Sequence, residues 1–303
     1  MSETAQVGEE AEFSPPVITG PPVEIEDGVF LIPDRGVELV PNVGVIVGER
    51  AALVVDSGLG PKNGQLVREL ADEIAEGRPL FLTLTHFHPE HGFGAQAFAD
   101  QTIVYNRVQH EELQQKGPGY QGMFSGMGDL IAQELADVQF VSPHVAFDGE
   151  ADLDLGGRTV QLRTFGPGHT RGDEVVYLPA EKIAFIGDLI ECRSFPILSF
   201  FPPLDAEVDA RQWLAVLAQI RAMDIDTIVP GHGEPGDKSI IDRSEEYLGL
   251  VLAETNRLAD AGESPEQIAA TVVPDLLARF PEWDPLPEFL LAAGVQSVLA
   301  NRD

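Results

Sequence analysis

Thr85-His86-Phe87-His88-Pro89-Glu90-His91-Gly92 closes an apolar run over residues 80–85 and sets four metal-capable side chains close together. On an extended segment His86 and His88 project to one side, because strand side chains repeat every second residue. If the chain turns into a helix near Glu90, Glu90 and His91 approach the same point from the other flank. Imidazole nitrogens and carboxylate oxygens suit zinc and non-haem iron. A single histidine beside a strand is ordinarily a hydrogen-bonded core or surface residue. Three imidazoles and a carboxylate packed together compete for protons and partners, however, and a cation removes that conflict by taking their lone pairs. The cluster therefore reads as a metal site.

Further along, three glycine-containing turns beside strands each offer one more donor: His169 in Gly166-Pro167-Gly168-His169-Thr170, Asp188 in Ile186-Gly187-Asp188, and His232 in Val229-Pro230-Gly231-His232-Gly233. Glycine lets the backbone turn sharply and bring a side chain in close. The single cysteine, Cys192, excludes an intramolecular disulfide and a thiolate zinc finger, so any metal is held mainly by His and carboxylates. Cys192 itself reads as a small buried hydrophobe. Of the remaining histidines, His110 lies in a polar helical stretch and reads as solvated, and His144 as a hydrogen-bonded structural residue.

The 303 residues are 44% apolar and 23% charged, enough to bury a full core without staples. No stretch approaches the ~20 apolar residues of a membrane helix. The N-terminus has neither a basic start nor an apolar signal segment, so cytoplasmic residence is the expectation. A formal charge of -31 repels nucleic acid and suits a solubilising or salt-adapted surface. Neither nucleic acid nor membrane is an expected partner; a small-molecule substrate is.

Residues 1–22 read as a disordered acidic tail. Strand-like runs follow at 28–32, 37–47, 51–55, 80–85, 102–105, 159–165, 174–178, 182–186 and 227–229, with helical patterns at 63–75 and 208–223. Short turns join some strands and helices separate others, which indicates a mixed, layered α/β domain over 23–236. Residues 237–303 read as a purely helical extension, with a capping box at Ser264-Pro265-Glu266-Gln267. Its apolar positions exceed what the helices can hide against themselves, so the extension is expected to be a cover and an interface, with a homodimer as one outcome.

In this order the motifs resemble the metallo-β-lactamase superfamily. The resemblance begins at Val54-Val55-Asp56-Ser57-Gly58, similar to that family's first motif, an Asp ending a strand and supporting the metal site. It continues through the His86–His91 cluster, His169, Asp188 and His232, covering about residues 23–236. It implies a four-layer αββα sandwich with the metals in a cleft at one edge of the two sheets. It implies one metal on His86, His88 and His169, a second on Glu90, His91 and His232, and Asp188 as a bridge, with Asp188, Glu90 and Asp56 in catalytic roles. Most members carry Asp where this chain has Glu90. The extra methylene changes reach and angle at the second site, leaving one ion or two open, and Glu90 can alternatively act as an acid or base.

The reaction expected from the resemblance is hydrolysis of an ester, thioester, lactone or lactam by a metal-bound hydroxide, with zinc as the metal and iron or manganese also compatible. No Gly-x-Ser-x-Gly elbow competes with it. The alternatives are a mononuclear iron dioxygenase acting on a sulfur substrate, a flavin-coupled di-iron reductase, and a non-catalytic metal-binding protein. Two segments are candidates for shaping the cleft: the apolar run 194–203 as a pocket wall, and the glycine-rich run 116–124 as a lid loop.

Overall fold

A computed structural model describes residues 16–199, 204–205, 207–284 and 286–302. The first sheet is built from β1 (Val23–Glu26), β2 (Val29–Ile32), β3 (Val43–Val47), β4 (Ala52–Val55), β5 (Leu80–Thr83), β6 (Thr102–Asn106) and β7 (Val145–Phe147), side by side in chain order. Helices α1 (Gly60–Ala75), α2 (Pro89–Gly92), α3 (Arg107–Ser125) and α4 (Asp129–Leu135) fall between these strands in sequence. The second sheet comprises β8 (Glu150–Asp154), β9 (Thr159–Arg163), β10 (Val175–Leu178), β11 (Ile183–Phe185) and β12 (Thr227–Val229), in spatial order β12-β11-β10-β9-β8. Helices α5 (Ala210–Ala222), α6 (Ser239–Asp260), α7 (Pro265–Arg279) and α8 (Glu288–Ala300) complete the chain.

The strand period sorts each side chain to one of three cores. Along β4, Ala52 and Val54 face the helices, while Leu53 and Val55 face the other sheet. Along β10, Val175 and Tyr177 meet the C-terminal helices, and Val176 and Leu178 turn inward. Strands buried on both faces carry continuous apolar runs, which is why they stand out in the sequence. The result is four layers, helices on sheet on sheet on helices. At Gly44 a Cβ would lie 2.6 Å from the Phe185 ring of the opposite sheet, so a side chain there would prevent the two sheets from meeting.

Three strands escape the sequence pattern, namely β1, β7 and β8. Each is largely exposed or half-buried, and β8 interleaves acids with its apolar residues. The run 37–47 is strand only from Val43. Before it, Asn42 donates from Nδ2 to the carbonyls of Pro230 (3.0 Å) and Gly233 (2.7 Å), clamping the turn that carries His232. The expected tail extended to Pro22, and residues 1–15 lie outside the described residues. Within the rest, Ile18 is buried and its N–H donates to Asn63 Oδ1 at 2.8 Å, so the chain is anchored on the α1 layer there, while residues 19–21 are exposed.

The run 116–124 is not a loop but the second half of α3. Leu113, Gly117, Tyr120 and Phe124 recur on its buried face at helical spacing, which overrides the poor propensity of its glycines and Pro118. The run 194–203 is likewise not a simple pocket wall. Phe195 and Leu198 are buried in the core shared by β10, β11 and the C-terminal helices; residues 200–203 lie outside the described residues. Trp283 packs on Phe195 (ring centroids 4.9 Å) and stacks on Phe280 (4.3 Å). No helix among the described residues is long and apolar enough to cross a membrane.

Candidate metal centre

The candidate ligands gather where strands end. β4 runs parallel to β5 and β11 runs parallel to β12, so Asp56, His86, Asp188 and His232 all follow carboxyl ends of strands, and the β9–β10 connection adds His169. After β5 the chain bends at Thr85, His88 is extended (φ -59°, ψ 154°), and Pro89 then opens the single turn α2. That switch carries Glu90 and His91 to the second flank.

Two groups of donor atoms result, one of His86, His88, His169 and Asp188, the other of Glu90, His91, Asp188 and His232, with ligand atoms in each within 4.8 Å of one another. Asp188 belongs to both. Its Oδ2 lies 3.6 Å from His86 Nε2 and 3.7 Å from His169 Nε2. Its Oδ1 lies 3.3 Å from His91 Nε2 and 3.8 Å from His232 Nε2. Adjacent ligand atoms on a tetrahedral ion with bonds of ~2.05 Å are about 3.3 Å apart, so these spacings match shared coordination. Close approach here depends on glycine. A Cβ on Gly231 would sit 1.8 Å from Asp188 Oδ1, and one on Gly187 (φ +54°) 2.5 Å from Thr85 Oγ1.

The far nitrogen of most of these rings is already engaged. His91 Nδ1 is 2.9 Å from Asp56 Oδ2, and the same oxygen accepts from Thr85 Oγ1 at 2.9 Å, whose oxygen in turn faces His86 Nδ1 at 3.2 Å. The His232 ring bonds to the backbone of Val40, and His88 Nε2 meets Tyr120 Oη at 3.1 Å. Each engaged far side leaves the other nitrogen for a metal. Asp173 shapes the His169 turn by accepting from Thr170 Oγ1 (2.6 Å) and from the Gly168 N–H (3.1 Å). Asp56 thus stands behind His91 and Thr85 and acts on the centre through them.

Burial holds His86 and His88 well below the ordinary histidine range, lowers His232, and takes His169 down to about 4. Their lone pairs are therefore free near neutral pH. Burial also acts on His91, but Asp188 and Asp56 overcome it and raise that imidazole. For Asp188, burial is outweighed by His91, His232 and His86, and the carboxyl is held well below the carboxylate range. Burial pushes Glu90 up to about 7. His86 Nε2 and Glu90 Oε2 are buried and make no hydrogen bond among the described residues, while His91 Nε2 and Asp188 Oδ1, also buried, face each other at 3.3 Å. Leaving such atoms unpaired costs roughly 1–3 kcal/mol apiece, and their convergence suits a divalent cation.

All seven residues nominated as ligands thus fall in these two groups, with Asp56 behind them. Thr85, Tyr120, Asp173 and Asp205 were not nominated. Thr85, adjacent to His86, and Asp173, three residues beyond Thr170, carried a local signal, and Tyr120 fell in the run 116–124 expected as a lid loop; Asp205 carried none. Glu191 was missed as well; burial, Asp188 and Glu90 all push its carboxyl up, and with Trp283, Arg243 and Glu282 it lines a cavity of about 250 Å³. His110 is half-buried. His144 is structural: its Nδ1 accepts from the Ile103 N–H at 3.1 Å. Cys192 is half-buried, its thiol 3.4 Å from the Glu234 carbonyl.

A linear primary-alkylsulfatase from Pseudomonas sp. (strain ATCC 19151) is 23% identical over 273 residues, 78% of this chain and 51% of that protein. A type 2 metallo-beta-lactamase from Bacillus cereus is 26% identical over 208 residues, 67% of this chain and 72% of that protein. Among solved structures, a stereoselective inverting sec-alkylsulfatase from Pseudomonas sp. superposes with a TM-score of 0.67 at 15% identity, covering 92% of this chain and 49% of that one. The chain spans about half the length of these two alkylsulfatases. The family model described as the metallo-beta-lactamase superfamily matches residues 36–232, the span that carries Asp56, the histidine cluster, His169, Asp188 and His232, and the chain belongs to that superfamily.

Proposed function

We propose that the chain is a metal-dependent hydrolase of a small-molecule ester, thioester, lactone or lactam, with zinc as the expected metal. The observation that supports this reading is the Asp188 carboxylate, one oxygen facing His86 and His169 and the other facing His91 and His232. His86, His88, His169 and Asp188 would hold one ion, and Glu90, His91, His232 and Asp188 a second. When bound, such ions supply Lewis acidity and bring the pKa of a water to roughly 7. The chain's own residues orient and dehydrate. Asp56 holds His91 from behind, Asp173 fixes the turn of His169, and the buried flanks of the centre exclude bulk water. Glu90 Oε2 makes no hydrogen bond among the described residues, and its carboxyl is able to hold or release a proton near neutrality.

The test is metal quantification on purified protein with a hydrolysis panel of lactones, thioesters, aryl esters, β-lactams and alkyl sulfates, the last two suggested by the relatives. Turnover of at least one class, lost on chelation, is expected. His86→Ala should lose at least one metal equivalent together with turnover; retention of both overturns the assignment. Glu90→Gln should lower second-site loading, and Glu90→Asp should change it. Should metal content ignore both while the pH–rate profile moves, Glu90 is an acid or base and not a ligand. A single iron with oxygen uptake on a sulfur substrate would replace the hydrolase by a dioxygenase.

A further inference from the structure

Of the residues around the centre, His88 has the most unusual support. Its Nδ1 lies 2.9 Å from His169 Nε2 and therefore belongs to the donor group, while its Nε2 is 3.1 Å from Tyr120 Oη. Tyr120 Oη donates to Asp205 Oδ2 at 2.6 Å. A phenol carries one proton. With that proton committed to the carboxylate, the phenolic oxygen can only accept from His88, which requires the proton of His88 to reside on Nε2. All three side chains are buried, Tyr120 completely.

The three members come from distant parts of the chain: His88 after β5, Tyr120 on the buried face of α3, and Asp205 in the segment between Asp188 and α5. A second link joins the same two elements, since Lys116 on α3 pairs with both Glu112 and Glu207. Asp205 and Glu207 are thereby both fastened to the helix behind His88. The ring of His88 also stacks on Tyr120, with centroids 4.8 Å apart, which restricts its rotation as well as its proton.

We propose that Asp205, acting through Tyr120, is a positioning residue that fixes His88 as its Nε2–H tautomer and so presents Nδ1 to the first group of metal donors. This rests on the metal-centre reading above for its consequence, but not for its geometry. Asp56 performs the corresponding service for His91, with the opposite nitrogen protonated, so the two flanks of the centre are held by separate carboxylates. Removing an outer partner of a metal-ligating histidine typically costs 10–100-fold in metal affinity.

The test uses the full chain with histidine labelled in nitrogen-15, metal-free and at mildly alkaline pH, where two-bond correlations report which ring nitrogen is protonated. In the natural protein His88 should be Nε2–H. Tyr120→Phe removes one oxygen and keeps the ring, and His88 should then populate both tautomers while His91 is unchanged. Asp205→Ala frees the phenol to donate to His88, and the Nδ1–H form should gain. In chelator competition, both variants should bind the first metal about 10–100-fold more weakly. An unchanged His88 tautomer in both variants overturns the proposal. If the natural protein takes up no metal, the metal-centre reading fails by itself, and the tautomer measurement still decides the relay.

Discussion

Gly231 sits against the carboxylate that both donor groups share, and a methyl there would overlap Asp188 Oδ1 at 1.8 Å while also approaching the Gly187 backbone at 2.9 Å. The carboxylate is the end of a side chain and can swing away, so the expected cost falls on the site more than on the fold. Gly231→Ala should lose both metals at least 10-fold in affinity, with overpacking destabilising by about 1–3 kcal/mol. Metal titration beside a denaturation curve separates the two effects, and unchanged metal loading would refute this placement of Asp188. The glycines were visible in the sequence as turn formers. That one of them is required because a carboxylate oxygen lies against it follows only from the parallel pairing of β11 with β12. Tyr120 fell in the run 116–124 expected near the cleft as a lid loop, but its contact with His88 and the role of Asp205 had no signal, because nothing local marks a residue that meets its partner through a helix face.

Between the sheets, Glu174 at the start of β10 meets Thr83 Oγ1 at 2.6 Å, and that hydroxyl also reaches the Val104 carbonyl at 2.8 Å. A hydroxyl has one proton to give, so a satisfied arrangement has Thr83 donating to Val104 and a protonated Glu174 donating to Thr83. Burial pushes the Glu174 carboxyl up to about 8 from its ordinary 4.5, in agreement with that arrangement. Between these values the folded state keeps a proton that the unfolded state has lost. Stability from this group is therefore full below pH ~4.5 and declines as pH rises to ~8, by on the order of a few kcal/mol. Glu174→Gln, whose amide can donate in the same way, should flatten that decline in urea denaturation; an unchanged slope against pH would count against a protonated Glu174. The C-terminal helices are a second element-scale case. Ile241, Tyr247, Leu248 and Val251 of α6, with Ile268, Val272, Leu276, Leu291, Val295 and Val298 beyond it, share one core with Trp213 and β10. The Ser297 hydroxyl donates to the Val208 carbonyl at 2.6 Å, tying α8 to the entrance of α5. The apolar surplus read from the sequence is thus largely consumed within this chain, although Phe289 remains 70% exposed. Truncation after Gly262 should leave Phe195, Leu198 and the outer face of α6 bare, so the shortened protein should be insoluble or melt well below the full chain. A soluble, equally stable product would show that α7 and α8 are not part of the cover.

At the scale of the molecule, a net charge of -31 acts against compaction. Most of the ion pairs are at the surface and contribute little singly, so screening the repulsion should dominate over weakening the pairs. Thermal midpoints should rise by a few degrees as sodium chloride is increased from ~0.01 M to ~0.5 M, and a flat or falling midpoint in scanning calorimetry would contradict this. The sequence by itself determined the class of the fold and the residues that gather at the candidate centre. Strands buried on both faces advertise themselves as continuous apolar runs, and metal-capable side chains at strand ends are dense enough in one dimension to be recognised without the third. It did not reveal the edge strands β1, β7 and β8, whose half-exposed faces break the pattern, or the helix over residues 116–124, where packing overrides propensity. Tertiary structure alone decided which oxygen of Asp188 faces which histidines, that Asp56 works from behind His91, and that Tyr120 and Asp205 stand behind His88. Those relations join residues from separate strands, helices and turns, and distances between such elements are set by how sheets and helices pack, which no local spacing encodes.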